Sequence, residues 1–136
     1  LKPEEIDMPH VIVEYTDNLG DDARIPELLQ AMNETLMAQN GVFPTGGIRS
    51  RAMKLTDYRV ADGKEDDAFV HVTLKIAAGR TPEVKKAAGD ALFEAVKVHF
   101  TKAFGRRYLA LSMELTEFDE GGSYKHNNIH ARFPKA

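Results

Sequence analysis

The chain of 136 residues contains no cysteine and no tryptophan. Without cysteine there is no disulfide staple, no thiol nucleophile and no thiolate metal site. Such a composition suits a reducing compartment, and a cytoplasmic location is the expectation. No apolar run is long enough to cross a bilayer, and the first residues lack the basic-then-apolar layout of a secretory signal. Charge of one sign is scarce too: 18 lysines and arginines stand against 21 aspartates and glutamates, a net charge of −3. The basic residues are scattered among acids, so neither nucleic acid nor membrane is expected as a partner. Small anions remain, because a local pair of arginines outweighs a weak global charge.

What is present is an ordinary balance for one domain with its own core, 43% hydrophobic and 29% charged. The more informative feature is internal. Residues 53–58 read MKLTDY and residues 113–118 read MELTEF, an offset of 60. The same offset sets Val11–Tyr15 against His71–Lys75, and Leu28, Met32 and Leu36 against Ala88, Leu92 and Val96. This pattern points to a duplicated unit, about 9–67 and 68–125, inside one domain spanning 9–136. Residues 1–8 are expected to be an extension or a remnant of cloning.

Each unit reads as strand, helix, strand. Pro9–Thr16 alternates and is valine-rich, as a strand should be. From about Arg24 to Ala38, Ile25, Leu28, Leu29, Met32, Leu36 and Met37 recur at helical spacing, with Pro26 tolerated in the first turn. Asn40 or Gly41 then suits the left-handed stop, and Ile48–Thr56 is the second strand. In the second unit Phe69–Ala77 is a strand, and Thr81 with Pro82 opens a helix expected to reach about Ala103. Tyr108–Phe118 follows as a long strand with Leu109, Leu111, Met113 and Leu115 on one face. The expected architecture is α+β: two β-α-β units in a four-stranded mixed sheet, with two helices on one face. The other face needs cover, so a homo-oligomer is expected. The tail contains a short strand candidate, NIHARF.

Few residues offer chemistry. Pro9 follows Met8; removal of Met8 would expose a secondary amine whose proton affinity falls in an apolar, cation-lined pocket. Proline is equally at home as the first residue of a strand. Arg49 and Arg51, two apart in GGIRSR, share one side of a strand and suit the planar grip of a carboxylate, or else a surface pairing with Glu14 or Asp57. Arg80 closes KIAAGR at a strand end just before a helix start, a position that favours anions, and Gly79 is expected to relieve crowding there. Among the five histidines none has a strong metal spacing. His71, within a strand, reads best as a hydrogen-bonded core or interface residue. His126 and His130 lie beside Lys125 and Arg132, a poor metal environment.

The segments MPHVIVEYTDN, GVFPTGGIRSR, VADGKEDDAFVHVTLKIAAGR, ALFEAVKVHF and HNNIHARF closely resemble the 5-carboxymethyl-2-hydroxymuconate isomerase family of the tautomerase superfamily. The resemblance runs from Met8 to the end. It implies a tautomerase-like fold of duplicated units, a homotrimer, and a cofactor-independent isomerase of homoprotocatechuate (4-hydroxyphenylacetate) breakdown. The family's amino-terminal catalytic proline falls on Pro9, and its arginines fall on Arg49 and Arg80. Arg51 is a further substrate-binding candidate, and Phe43 a candidate lining residue. The implied substrate is a small tricarboxylate, whose 2-hydroxyl proton moves to Pro9 nitrogen and returns at C5. With the proline nitrogen blocked, the same scaffold reads instead as a non-catalytic binder of small aromatic or organic acids.

Overall fold

The computed structural model describes residues 8–133, so the lead-in set apart in the sequence falls, but for Met8, outside the described residues. Strand β1 (His10–Thr16) alternates through Tyr15, with Val11, Val13 and Tyr15 buried, and Thr16 at its end is buried too. A 3-10 segment, Asp17–Ala23, leads to helix α1 (Ile25–Met37). Pro26 sits in its first turn, and Leu28, Met32 and Leu36 form its buried stripe. A short 3-10 turn, Thr45–Gly47, precedes β2 (Arg49–Leu55). Then come β3 (Ala68–Ala77), α2 (Pro82–His99), a short α3 (Thr101–Arg106) and β4 (Leu109–Phe118).

The sheet runs β2-β1-β3-β4. Strands β1 and β2 are parallel, as are β3 and β4, while β1 and β3 meet antiparallel at the centre. Each parallel pair is joined through a helix, so the mixed sheet consists of two β-α-β units side by side. One sheet face carries Val11, Val13, Val70, Val72, Leu74 and Ile76, and these merge with the α1 and α2 stripes into a single core. Each such side chain contributes roughly 1.5–3 kcal/mol when fully buried. The opposite face bears His10, Ile12 and Glu14 on β1, paired with Lys75, Thr73 and His71 on β3.

The 60-residue offset holds for the helices but not for the strands. Leu28, Met32 and Leu36 are buried, and so are Ala88, Leu92 and Val96. In the strands the same shift pairs opposite faces: Val11 is buried, whereas His71 lies on the open side. Met53 is half exposed on the open face, while Met113 packs against the core. A strand has a two-residue period, so a slip of one residue reverses every side chain. The likeness of MKLTDY to MELTEF is thus one of composition, with the structural equivalence displaced by a residue.

Two local expectations are corrected. The second helix does not continue to Ala103; it stops at Phe100, and α3 starts a new segment. Phe100 is fully buried and meets the His99 ring edge-on at 4.7 Å, while Thr101 Oγ1 donates to the carbonyls of Lys97 and Val98. The Phe100 backbone, at φ −98° and ψ 14°, leaves helical geometry there, and the Thr101 hydroxyl takes up carbonyls of the last turn. NIHARF, at 128–133, is no strand: Ile129–Arg132 forms a 3-10 turn. Asn127 Oδ1 accepts the Ile129 amide at 2.7 Å and starts that turn before any strand can extend.

Candidate active site

One end of the sheet collects most of the residues singled out above. Strands β1 and β2 begin there, and β3 and β4 finish there. Pro9 is buried at the start of β1, and its carbonyl accepts the backbone amide of Arg49 at 3.0 Å. The first residue of β2 therefore stands directly beside the proline. Parity decides where its side chain goes. Ile48 is buried and Ala52 packs on the core, so Arg49 and Arg51 take the open face.

Arg49 folds back on the turn before it, Nη1 donating to Gly46 O at 2.8 Å and to Ile48 O at 3.2 Å. Arg51 does not engage Arg49; its Nη1 lies 2.8 Å from His10 Nδ1. Arginine only donates, so His10 accepts at Nδ1 and carries its proton on Nε2. Burial, first, and then the charges of Arg51, Arg49, Lys75 and Lys125 hold the His10 imidazole below its ordinary value. The residue next to Pro9 thus lies in a field of positive charge.

Arg80 arrives from the other half of the fold. Gly79 has φ 116°, a conformation that favours glycine, and a side chain there would meet nothing within 4 Å. The need is for the backbone turn rather than the relief of crowding expected from the sequence. Beyond it, Arg80 donates from Nη1 to Ala77 O at 3.1 Å and from Nη2 to Val42 O at 3.2 Å. Its guanidinium lies 5.0 Å from the centre of the Phe43 ring. Phe43 is itself buried, so it supports Arg80 from below. Thr81 caps the following helix by accepting the Val84 amide, which fixes the chain just past the arginine.

The loop from 42 to 48 ties these parts together. Its Val42 carbonyl and Phe43 ring hold Arg80, and its Gly46 carbonyl holds Arg49. Two neighbours were not singled out by sequence reasoning. His10 is one, and only its register opposite Lys75 and beside Arg49 gives it a role. Asn127 is the other: its amide donates to the same Gly46 carbonyl at 3.3 Å. His71 keeps its expected character, bonded to Ser112 at 2.7 Å and Glu114 at 2.9 Å on the open face. Arg49 beside a buried Pro9, with the positive charge of Arg51, Lys75 and Lys125 around His10, gives this end of the sheet the chemistry to attract a small anion.

Comparison with known proteins agrees in both sequence and shape. A family model described as 5-carboxymethyl-2-hydroxymuconate isomerase matches residues 9–133. A 5-carboxymethyl-2-hydroxymuconate Delta-isomerase from Escherichia coli is 47% identical over 126 residues, 93% of this chain and 99% of the relative. The crystal structure of a 5-carboxymethyl-2-hydroxymuconate isomerase from Deinococcus radiodurans R1 matches with a TM-score of 0.93 at 52% identity, covering 98% of this chain and all of that one. A further 5-carboxymethyl-2-hydroxymuconate delta-isomerase structure matches with a TM-score of 0.87 at 25% identity, over 97% of both chains.

Proposed function

Because this chain belongs to the 5-carboxymethyl-2-hydroxymuconate isomerase family of tautomerases, we propose that it converts 5-carboxymethyl-2-hydroxymuconate to its 2-oxo isomer, with Pro9 nitrogen as the proton carrier. The observation that carries the reading is the placement of Pro9 and Arg49 side by side at one sheet end, with Arg80 joined to them by the 42–48 loop. The family match starts at residue 9, which supports Pro9 as the functional first residue.

Bonded to Met8, the proline nitrogen is an amide and has no useful basicity. Released from Met8, it is a secondary amine in a buried ring, beside the same positive field that lowers His10. Both burial and neighbouring cations disfavour the ammonium form, so the amine stays a base near neutral pH. It takes the proton from the 2-hydroxyl as the C2 carbonyl forms and the double bond moves to C3–C4. It then returns that proton to C5. No redox change occurs and no cofactor is required.

The arginines answer the charge. The substrate carries three carboxylates, and negative charge spreads over the dienolate as the hydroxyl proton leaves. Arg49 uses Nη1 for its two backbone carbonyls, and among the described residues the Nε–Nη2 edge is left to a carboxylate fork. Arg80, held over Phe43, supplies the second guanidinium, and Arg51 keeps the field positive through His10. Fixed donors of this kind stabilise developing charge without reorganising.

The open face of the sheet requires a partner surface, and a homotrimer of this chain is the assembly proposed to supply it. A cytoplasmic setting belongs to the same proposal, supported by the cysteine-free composition. Among the described residues, no helix is long and apolar enough to cross a membrane. The test is the ultraviolet change of 5-carboxymethyl-2-hydroxymuconate with protein starting at a free Pro9. Arg49→Ala and Arg80→Ala are each expected to lower kcat/KM by roughly 100-fold or more, as loss of a fixed charge-stabilising donor does. Rates within twofold of the parent for both would overturn the assignment.

A further inference from the structure

Residues Asn127 to Arg132 lie against the active-site end of the sheet, and their contacts converge on one carbonyl. Gly46 O accepts Arg49 Nη1 at 2.8 Å and Asn127 Nδ2 at 3.3 Å. Asn127 is oriented from its other end, because its Oδ1 accepts the Ile129 amide at 2.7 Å. That bond settles which end of the side chain is the oxygen, so the group facing Gly46 is the amide donor. His130, in the turn that Asn127 starts, lies against Gly46. A Cβ built on Gly46 would stand 2.7 Å from His130 Nδ1, 2.9 Å from its Cα and 3.0 Å from its N. Two of those three atoms are backbone, so any side chain at 46 displaces the tail rather than a flexible tip.

We propose that Asn127 and His130 form a clasp over the Thr45–Gly47 turn that orients Arg49 for the substrate carboxylate, Asn127 acting as a positioning residue through the shared Gly46 carbonyl. The turn is small and held by two backbone bonds, Gly47 N to Pro44 O at 2.9 Å and Ile48 N to Thr45 O at 3.3 Å. A glycine pair leaves such a turn with a wide choice of conformations. The tail limits that choice from outside, and the guanidinium bonded to the same oxygen inherits the restriction. Binding energy spent on ordering Arg49 is thereby saved for the substrate. The inference rests on Arg49 as the carboxylate clamp, as proposed above.

Asn127→Asp is the diagnostic variant. A carboxylate still accepts the Ile129 amide, so the 3-10 turn survives, but it cannot donate to Gly46 O. Asn127→Ala removes both contacts. The clasp predicts that Asp and Ala behave alike in protein starting at Pro9: KM rises about 3- to 10-fold, while kcat stays within about twofold. In an Arg49→Ala background the Asn127→Asp change is expected to have no further effect on KM, since its route to substrate has gone. Amide hydrogen exchange at Gly47 and Ile48 reads the clasp independently of catalysis and is expected to quicken at least tenfold in both variants.

Unchanged exchange, a wild-type KM for Asn127→Asp, or an equal KM rise with and without Arg49 each overturns the proposal. A different result tests the earlier reading separately. If Arg49→Ala itself leaves KM and kcat unchanged, the carboxylate clamp falls, and with it the purpose assigned to Asn127, whatever the exchange rates show.

Discussion

Arg80 holds two carbonyls with two different nitrogens while resting on an aromatic ring. Lysine carries the same charge but only one nitrogen, without the planar fork. Arg80→Lys is therefore expected to retain folding and to lose roughly 10-fold or more in kcat/KM, with Phe43→Ala lowering it in the same direction by a smaller factor. Steady-state kinetics beside a thermal melt checks both. At this scale the sequence was informative where backbone parity alone decides direction, as with Arg49 and Arg51. It was silent where a partner comes from another strand. His10 looked like an ordinary strand residue until the parallel register set Arg49 and Arg51 on the neighbouring strand. Gly46 O is a main-chain atom, and no residue type announces its double use.

Among the elements, the helices were easier to read than the strands. A helical stripe tolerates drift of one position because neighbours at three and four residues still share a face. A strand does not, which is why the 60-residue match fell on the wrong faces of β2 and β4. The end of α2 was illegible for a related reason. Its continuation to Ala103 obeys helical periodicity, but burial of Phe100 and the contact of His99 with the opposite unit stop it first. His99 donates from Nε2 to Ala23 O at 2.8 Å. Burial foremost, with the nearby charge of Arg24, holds its imidazole below the ordinary 6.5. The folded protein thus favours neutral His99, and the unfolded chain binds the proton first as pH falls. Stability from this site is complete above about pH 6.5 and is lost as pH drops through the lower folded value. His10 adds the same sign. Denaturant titrations between about pH 7.5 and pH 5 are expected to show His99→Gln, which keeps an uncharged donor, losing less stability than the parent. An equal loss in both would remove His99 from the account.

Over the whole molecule, the proposed assembly depends on the open sheet face. Its centre is Ile12, only partly covered and flanked across the strands by Thr73 and Arg51. A lysine there adds a like charge beside Arg51 and gives a second copy an unpaired cation to bury. Ile12→Lys is expected to shift the protein from trimer to monomer in sedimentation velocity, with far-ultraviolet dichroism unchanged. A parent protein that sediments as a monomer would contradict the proposed assembly. The mixed sheet with helices on one side was legible from the strand–helix–strand order, because each amphipathic element needs one apolar surface and the sequence supplies it. The pairing of the two units through β1 and β3 was not, since central antiparallel contact depends on which edges meet rather than on any local pattern.

Pro9 nitrogen as the working base is the claim on which the chemistry stands. The direct measurement compares turnover of 5-carboxymethyl-2-hydroxymuconate by protein that starts at Pro9 with turnover by the same protein retaining Met8. The account predicts rapid isomerisation only with the free amine, and a rate at least about 100-fold lower when the nitrogen is an amide, as loss of a general base requires. Equal rates from the two forms would contradict it.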